Sequence, residues 1–167
     1  MKKPEFIRHW RELEGADDSR YPDSDERFSI GAPLARHFGL TRLGIHHERI
    51  PPGRRTSYPH AESQEEEFAF VLEGYPEVWI NGHLWQLEPG DSVGFPAGSG
   101  ICHTFINNSE QDVRLLVVGE ANKADNRIYY PLNPQYAMQR KDRWIDPPAQ
   151  TFGPHDGKPS VKQQDES

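Results

Sequence analysis

The sequence predicts an all-β protein, a barrel or sandwich of many short strands. Three observations carry that reading. The 167 residues include 14 glycines and 15 prolines, which break the chain too often for an all-helical protein. From Leu40 to Glu120, apolar runs of strand length recur about every 8–12 residues with turn residues between them. Asn81-Gly82 lies between two apolar runs and is the pair that a two-residue type I′ hairpin requires.

The elements follow in order. Residues 1–40 read as an N-terminal arm. In it, Phe6, Ile7, Trp10 and Leu13 give a weak helical stripe that Gly15 stops, "ADDSRYPDSDER" is a loop, and "FSIGAPLARHFGL" holds a first strand and a turn. Residues 41–120 form the β-barrel domain. "TRLGIHHERI" is a strand ended by Pro51, Pro52 and Gly53, "EFAFVLEG" is the next, and "EVWINGHLWQL" is the hairpin. "SVGFPAG", "CHTFIN" and "VRLLVVGE" complete the set. Residues 121–157 are rich in proline and polar residues, with Ile128, Tyr129, Tyr130, Leu132, Tyr136, Trp144 and Phe152 as anchors, and read as an arm wrapping the barrel. Residues 158–167 read as a disordered tail.

Composition sets bounds on function. A formal net charge of -7 without a clustered basic face argues against nucleic acid. The single cysteine, Cys102, allows neither an internal disulfide framework nor a cysteine-rich zinc site, and it suits a reducing cytosol. The basic start "MKK" leads into no apolar segment, and no apolar run approaches the roughly 20 residues that span a bilayer. The expectation is a cytoplasmic protein that takes a small-molecule ligand, binds neither nucleic acid nor membrane, and forms a homodimer that covers exposed sheet faces.

The stretch "PHAESQEEEFAFVLEG" carries the chemistry. His60 and Glu62 are two residues apart and share a face on a strand. Glu67 is five residues from Glu62, so a loop or bulge must restart the alternation. It then opens a strand on the face of Ala69 and Val71, while Phe68, Phe70 and Leu72 take the other. His103 alternates with Phe105, opposite Thr104 and Ile106, and joins the cluster if its strand pairs nearby. Two imidazoles and two carboxylates suit a divalent cation bound by nitrogen and oxygen: zinc, iron(II), manganese or nickel. The plain alternatives are buried structural histidines and a solvated acidic run. Glu65 and Glu66 read as rim charges. Cys102 reads as a buried inert thiol, because it should face away from His103. Of His46 and His47, one must face inward, as a structural group or a substrate contact.

These residues resemble the cupin superfamily, whose members are small jelly-roll β-barrels. The first cupin motif, G-x5-H-x-H-x(3,4)-E-x6-G, is met by Gly53, His60, Glu62, Glu67 and Gly74, with the first gap one residue longer. The second, G-x5-P-x-G-x2-H-x3-N, is met by Gly90, Pro96, Gly98, His103 and Asn107, with four residues between Gly98 and His103 instead of two. The resemblance implies a cupin jelly-roll barrel with extended terminal arms and one metal ion per chain, zinc or iron(II) foremost. By position the ligands are His60, Glu62, Glu67 and His103, with Glu62 where cupins usually carry histidine. Glu62 either ligates or stands behind the ligands holding a water. A carboxyl-rich site favours Lewis-acid chemistry of isomerase, lyase or hydrolase type, with Glu62 and Glu67 as catalytic groups. The alternatives are a non-catalytic small-molecule-binding cupin and an iron-dependent dioxygenase.

Overall fold

The strands expected between residues 41 and 120 form where the apolar runs lie. The structure is a computed structural model that describes residues 3–22, 24–121 and 123–161; positions 162–167 of the expected tail lie outside the described residues. After one 3-10 turn at Trp10–Glu12 the order is β1 (Ile30–Pro33), α1 (Leu34–His37), β2 (Leu43–Ile50), β3 (Arg54–Arg55), β4 (Ala61–Glu62), β5 (Glu67–Glu73), β6 (Glu77–Ile80), β7 (His83–Gln86), β8 (Ser92–Phe95), β9 (His103–Asn107), β10 (Val113–Glu120), β11 (Ile128–Tyr129) and α2 (Pro134–Gln139).

Two antiparallel sheets contain most of these strands, in the orders β1-β2-β10-β5-β8 and β3-β9-β6-β7. The chain passes between them repeatedly: β2 to β3, β5 to β6 and β7, β8 to β9 and on to β10. That winding is a jelly roll. β6 and β7 pair from Glu77↔Gln86 to Ile80↔His83, closing the hairpin on Asn81 and Gly82. Both turn residues have positive φ, 46° and 86°, as a type I′ turn requires.

Alternation decides what lies between the sheets. On β5, Ala69 and Val71 are buried, whereas Phe68 and Leu72 are 42% and 45% exposed. Ala69 and Val71 meet Ile50, Val78, Phe95, Phe105, Val113 and Leu115 in one core drawn from both sheets. Fully burying side chains of this size stabilises by about 1.5–3 kcal/mol each. β2 contributes Ile50 to this core, so its inward series is His46, Glu48, Ile50 and its outward series is His47, Arg49. At the His46 end the apolar core gives way to polar groups and a cavity.

The chain ends cover the outside. Trp10 stacks on His47 with ring centroids 4.1 Å apart, and Arg49 donates to Glu14 at 2.8 Å. On the second sheet the Trp79 indole donates to the His155 carbonyl (2.9 Å), the Gly153 N–H to the Asn81 carbonyl (2.8 Å), and the Arg55 guanidinium to the Gly157 carbonyl (2.7 Å). A Cβ on Gly82 would meet the Gly153 backbone at 2.3 Å, so the turn glycine also lets the C-terminal segment lie close. This cover buries all five residues of β9, on both of its faces. The region after Glu120 is more regular than its composition suggested. β11 pairs with β4, and α2 starts on Pro134, whose fixed φ and missing N–H suit a helix's first turn. No helix among the described residues is long and apolar enough to cross a membrane.

Candidate metal centre

His60 and His103 meet because β9 faces the chain entering β4. The two residues exchange main-chain hydrogen bonds, His60 N–H to His103 O at 3.2 Å and His103 N–H to His60 O at 2.9 Å. Their rings lie 5.0 Å apart. Phe95, the last residue of β8, stacks flat on the His103 ring at 3.5 Å and fixes its plane. Glu67 pairs with Phe95 across β5 and β8, which brings its carboxylate to the same place. His103 Nε2 and Glu67 Oε1 are 3.1 Å apart. One donor atom each from His60, Glu67 and His103 lies within 4.8 Å of the other two.

The orientation of both imidazoles suits a cation. His60 Nδ1 is 2.9 Å from the Tyr58 carbonyl, and His103 Nδ1 is 3.3 Å from the Ile101 carbonyl. A carbonyl only accepts, so these contacts suit an Nδ1–H on each ring, which turns each Nε2 toward the Glu67 carboxylate. His103 Nε2 then either carries a hydrogen toward Glu67 or shares a cation with it and His60. Burial, with the neighbouring His103 adding to it, pushes the His60 imidazole down to about 4, so it is neutral at neutral pH, as a ligand must be. For Glu67, burial works upward. The hydrogen bond with His103 and the pull of the surrounding histidines outweigh it, and the carboxyl sits below the ordinary range. A soft, thiol-selective metal is excluded by this donor set, while zinc, iron(II), manganese and nickel fit it.

Glu62 lies outside the three-residue group. Its carboxylate accepts from the Asn126 side-chain amide at 3.3 Å, and burial, then the charges of Glu65 and Glu67, push it above its ordinary range. β4 is only two residues long, and its partner β11 carries Glu62 toward the 126–128 segment. The strand alternation that would place Glu62 beside His60 has little strand on which to act. Cys102 faces away from His103 into a cluster with Ala61, Trp79 and Ile106, where burial raises its thiol to about 12.

The five-stranded sheet that carries Glu67 also turns inward groups that the motifs do not mark. A cavity of about 200 Å³ is lined by His60, Glu67 and His103 together with His46, Glu48 and Phe105, among others. Glu48 accepts from the Ser29 hydroxyl at 2.7 Å, and its other carboxylate oxygen is 3.9 Å from His46 Nδ1. Burial pushes its carboxyl up to about 7. Of the histidine pair on β2, His46 is thus the inward one, and His47 is buried under Trp10 on the outside. The signal for Glu48 was present as the position two after His46, once the inward parity of β2 is known.

A family model for the cupin domain matches residues 46–119, from the inward histidine of β2 to the end of β10. That segment is a cupin domain. Among solved structures, this cupin is similar to the sugar phosphate isomerase assigned in Acidithiobacillus ferrooxidans, with 29% identity over 62% of this chain and 65% of that one and a TM-score of 0.59. A sugar phosphate isomerase from Silicibacter pomeroyi has the same identity and TM-score, over 61% of this chain and 64% of that one. The cupin thus spans just under two thirds of the length of these two proteins. The polyketide cyclase RemF of Streptomyces resistomycificus shares the fold at 23% identity, covering 85% of this chain and 95% of that one with a TM-score of 0.60. No curated protein matches the chain.

Proposed function

We propose that this cupin is a metal-dependent enzyme that isomerises a small hydroxycarbonyl compound. The observation that carries the reading is the set of three donors, His60, Glu67 and His103, gathered within 4.8 Å with both imidazole Nδ1 atoms tied to main-chain carbonyls. A divalent ion held there would polarise a carbonyl or hydroxyl oxygen. Zinc and iron(II) are the first candidates, with manganese and nickel after them. Of the two glutamates expected to be catalytic, Glu67 is assigned to holding the ion, and Glu62 to the rim beside Asn126. The likeness to two sugar phosphate isomerases supports isomerisation over hydrolysis. The cavity is about 200 Å³, and neither lysine nor arginine lines it, so a compact substrate suits it better than one whose phosphate must be buried. The dimer is placed on the outer face of the five-stranded sheet, where Leu43, Phe68 and Leu72 are 46%, 42% and 45% exposed. Light scattering that gives a monomer mass would remove this part of the proposal.

The test is a proton NMR screen of small aldose and ketose pairs, free and phosphorylated, in D2O with zinc-, iron(II)- or manganese-loaded protein. Expected is interconversion with deuterium incorporated at carbon, abolished by a chelator. The ligand set of two histidines and one carboxylate favours one further reading, oxygen activation by iron(II). Oxygen uptake by the iron-loaded protein without isomerisation would select it.

A further inference from the structure

We propose that Glu48, set in the cavity wall by Ser29 and flanked by His46, is the group that moves the proton in this reaction. The inference rests on the reading of the cavity as a metal-dependent isomerase site. Isomerisation of a hydroxycarbonyl compound needs a base to take a proton from the carbon next to the carbonyl and return it to the former carbonyl carbon. The hydroxyl proton crosses to the other oxygen, so nothing is gained or lost and the base ends as it began. Glu67 is committed to the metal group, and Glu62 bonds Asn126 at the rim. Among the residues lining the cavity, Glu48 is the remaining carboxylate.

Its position is built. Ser29 Oγ donates to one carboxylate oxygen at 2.7 Å, which fixes the rotamer and leaves the other oxygen 3.9 Å from His46. Gly31 lies opposite Glu48 on β1, and a Cβ there would be 3.1 Å from that second oxygen. The glycine leaves room for the carboxylate. The side chain is 17% exposed and lines the cavity, while His46, two residues nearer the mouth, is 45% exposed. His46 can therefore pass protons between Glu48 and solvent. The groups facing Glu48 are few. Ser29, just before β1, and Gly31 on β1 face it, β10 presents Leu115, β5 presents Glu67 and β2 itself His46, while His60 and His103 lie across the cavity. Arg54 and Arg55 on β3 are turned to Asp17 and Glu26. With no cation directly upon it, burial places the carboxyl at about 7, where a carboxyl can both take and give a proton at neutral pH.

The test uses the full chain with zinc as the probe. Infrared difference spectra across a pH titration should show a carboxylic acid that ionises near neutrality in wild type and is missing in Glu48→Gln. Zinc loading should move its midpoint downward, because a cation then lies across the cavity. Ser29→Ala should move the midpoint upward, because the serine hydroxyl bonds the ionised form. Both variants should keep the wild-type zinc stoichiometry, and Glu48→Gln should lose at least 100-fold in deuterium incorporation at carbon. A wild type that binds no zinc would sink the metal reading. A wild type that binds zinc but whose Glu48 ionises in the ordinary carboxylate range, or does not respond to zinc, would overturn the assignment of Glu48 alone, as would loss of zinc from Glu48→Gln.

Discussion

The two carboxylates that the five-stranded sheet turns into the cavity, Glu67 and Glu48, are held in opposite ways. Glu67 stands close enough to His60 and His103 to share one ion with them, and although burial alone would raise its carboxyl, the histidines bring it down. Glu48 has a serine hydroxyl and a histidine 3.9 Å away, and burial, with the charge of Glu67 adding to it, wins. A carboxylate set among imidazoles suits a ligand, whereas one left without such partners keeps a proton available. The division of labour proposed for the cavity follows from that contrast.

The largest effects are expected at the metal group. His60→Ala and His103→Ala should each lower zinc or iron(II) affinity by about 100-fold or more, read by dialysis and elemental analysis, because each removes one of three donors. If one variant keeps full metal, the donor set must be redrawn without that residue. Glu67→Gln should weaken binding by about 10- to 100-fold, as a neutral amide oxygen replaces a charged one.

How far these residues could be read from the sequence differs in the same way. His60, Glu67 and His103 were accessible from spacing and alternation, since β5 and β9 are long enough for period two to hold and their inward partners Ala69, Val71 and Phe105 are apolar. Glu62 was placed with them by the same rule, yet β4 spans two residues and Asn126 takes the carboxylate. Glu48 was not marked, because "HHERI" offers polar residues to both faces. Its parity is set by Trp10 covering His47 outside and Ile50 joining the core inside, both contacts distant in sequence. β11 and α2 were hidden because they depend on surfaces supplied by the barrel and its arms rather than on a strong pattern of their own.

At Glu48 the expected effect is of the same order and appears in stability. Glu48 has its ordinary value, 4.5, when unfolded and about 7 when folded. The folded state therefore holds the proton more tightly. The stability this gives is complete below 4.5 and is lost as the pH rises through 7, amounting to about 3 kcal/mol. Chemical denaturation of wild type and Glu48→Gln between those limits should show wild type losing stability relative to the variant by that order as the pH rises. A flat difference would mean that Glu48 is not held neutral by burial. Outside the cavity, His47→Ala should cost about 1–2 kcal/mol through the lost stack on Trp10 and leave metal affinity unchanged. Glu62→Ala should be the mildest change, within about threefold in metal affinity, because its carboxylate bonds Asn126 and is not one of the three donors gathered within 4.8 Å. A loss as large as that of His60→Ala would return Glu62 to the ligand set.

X-ray absorption at the zinc edge of the reconstituted wild-type protein reads whether His60, Glu67 and His103 hold one ion. Expected is about one zinc per chain with two imidazole nitrogens at about 2.0–2.1 Å and oxygen from a carboxylate, and loss of one imidazole contribution in His103→Ala. Less than about one-tenth of an equivalent of zinc, iron or manganese after reconstitution, or a spectrum without imidazole, would contradict it.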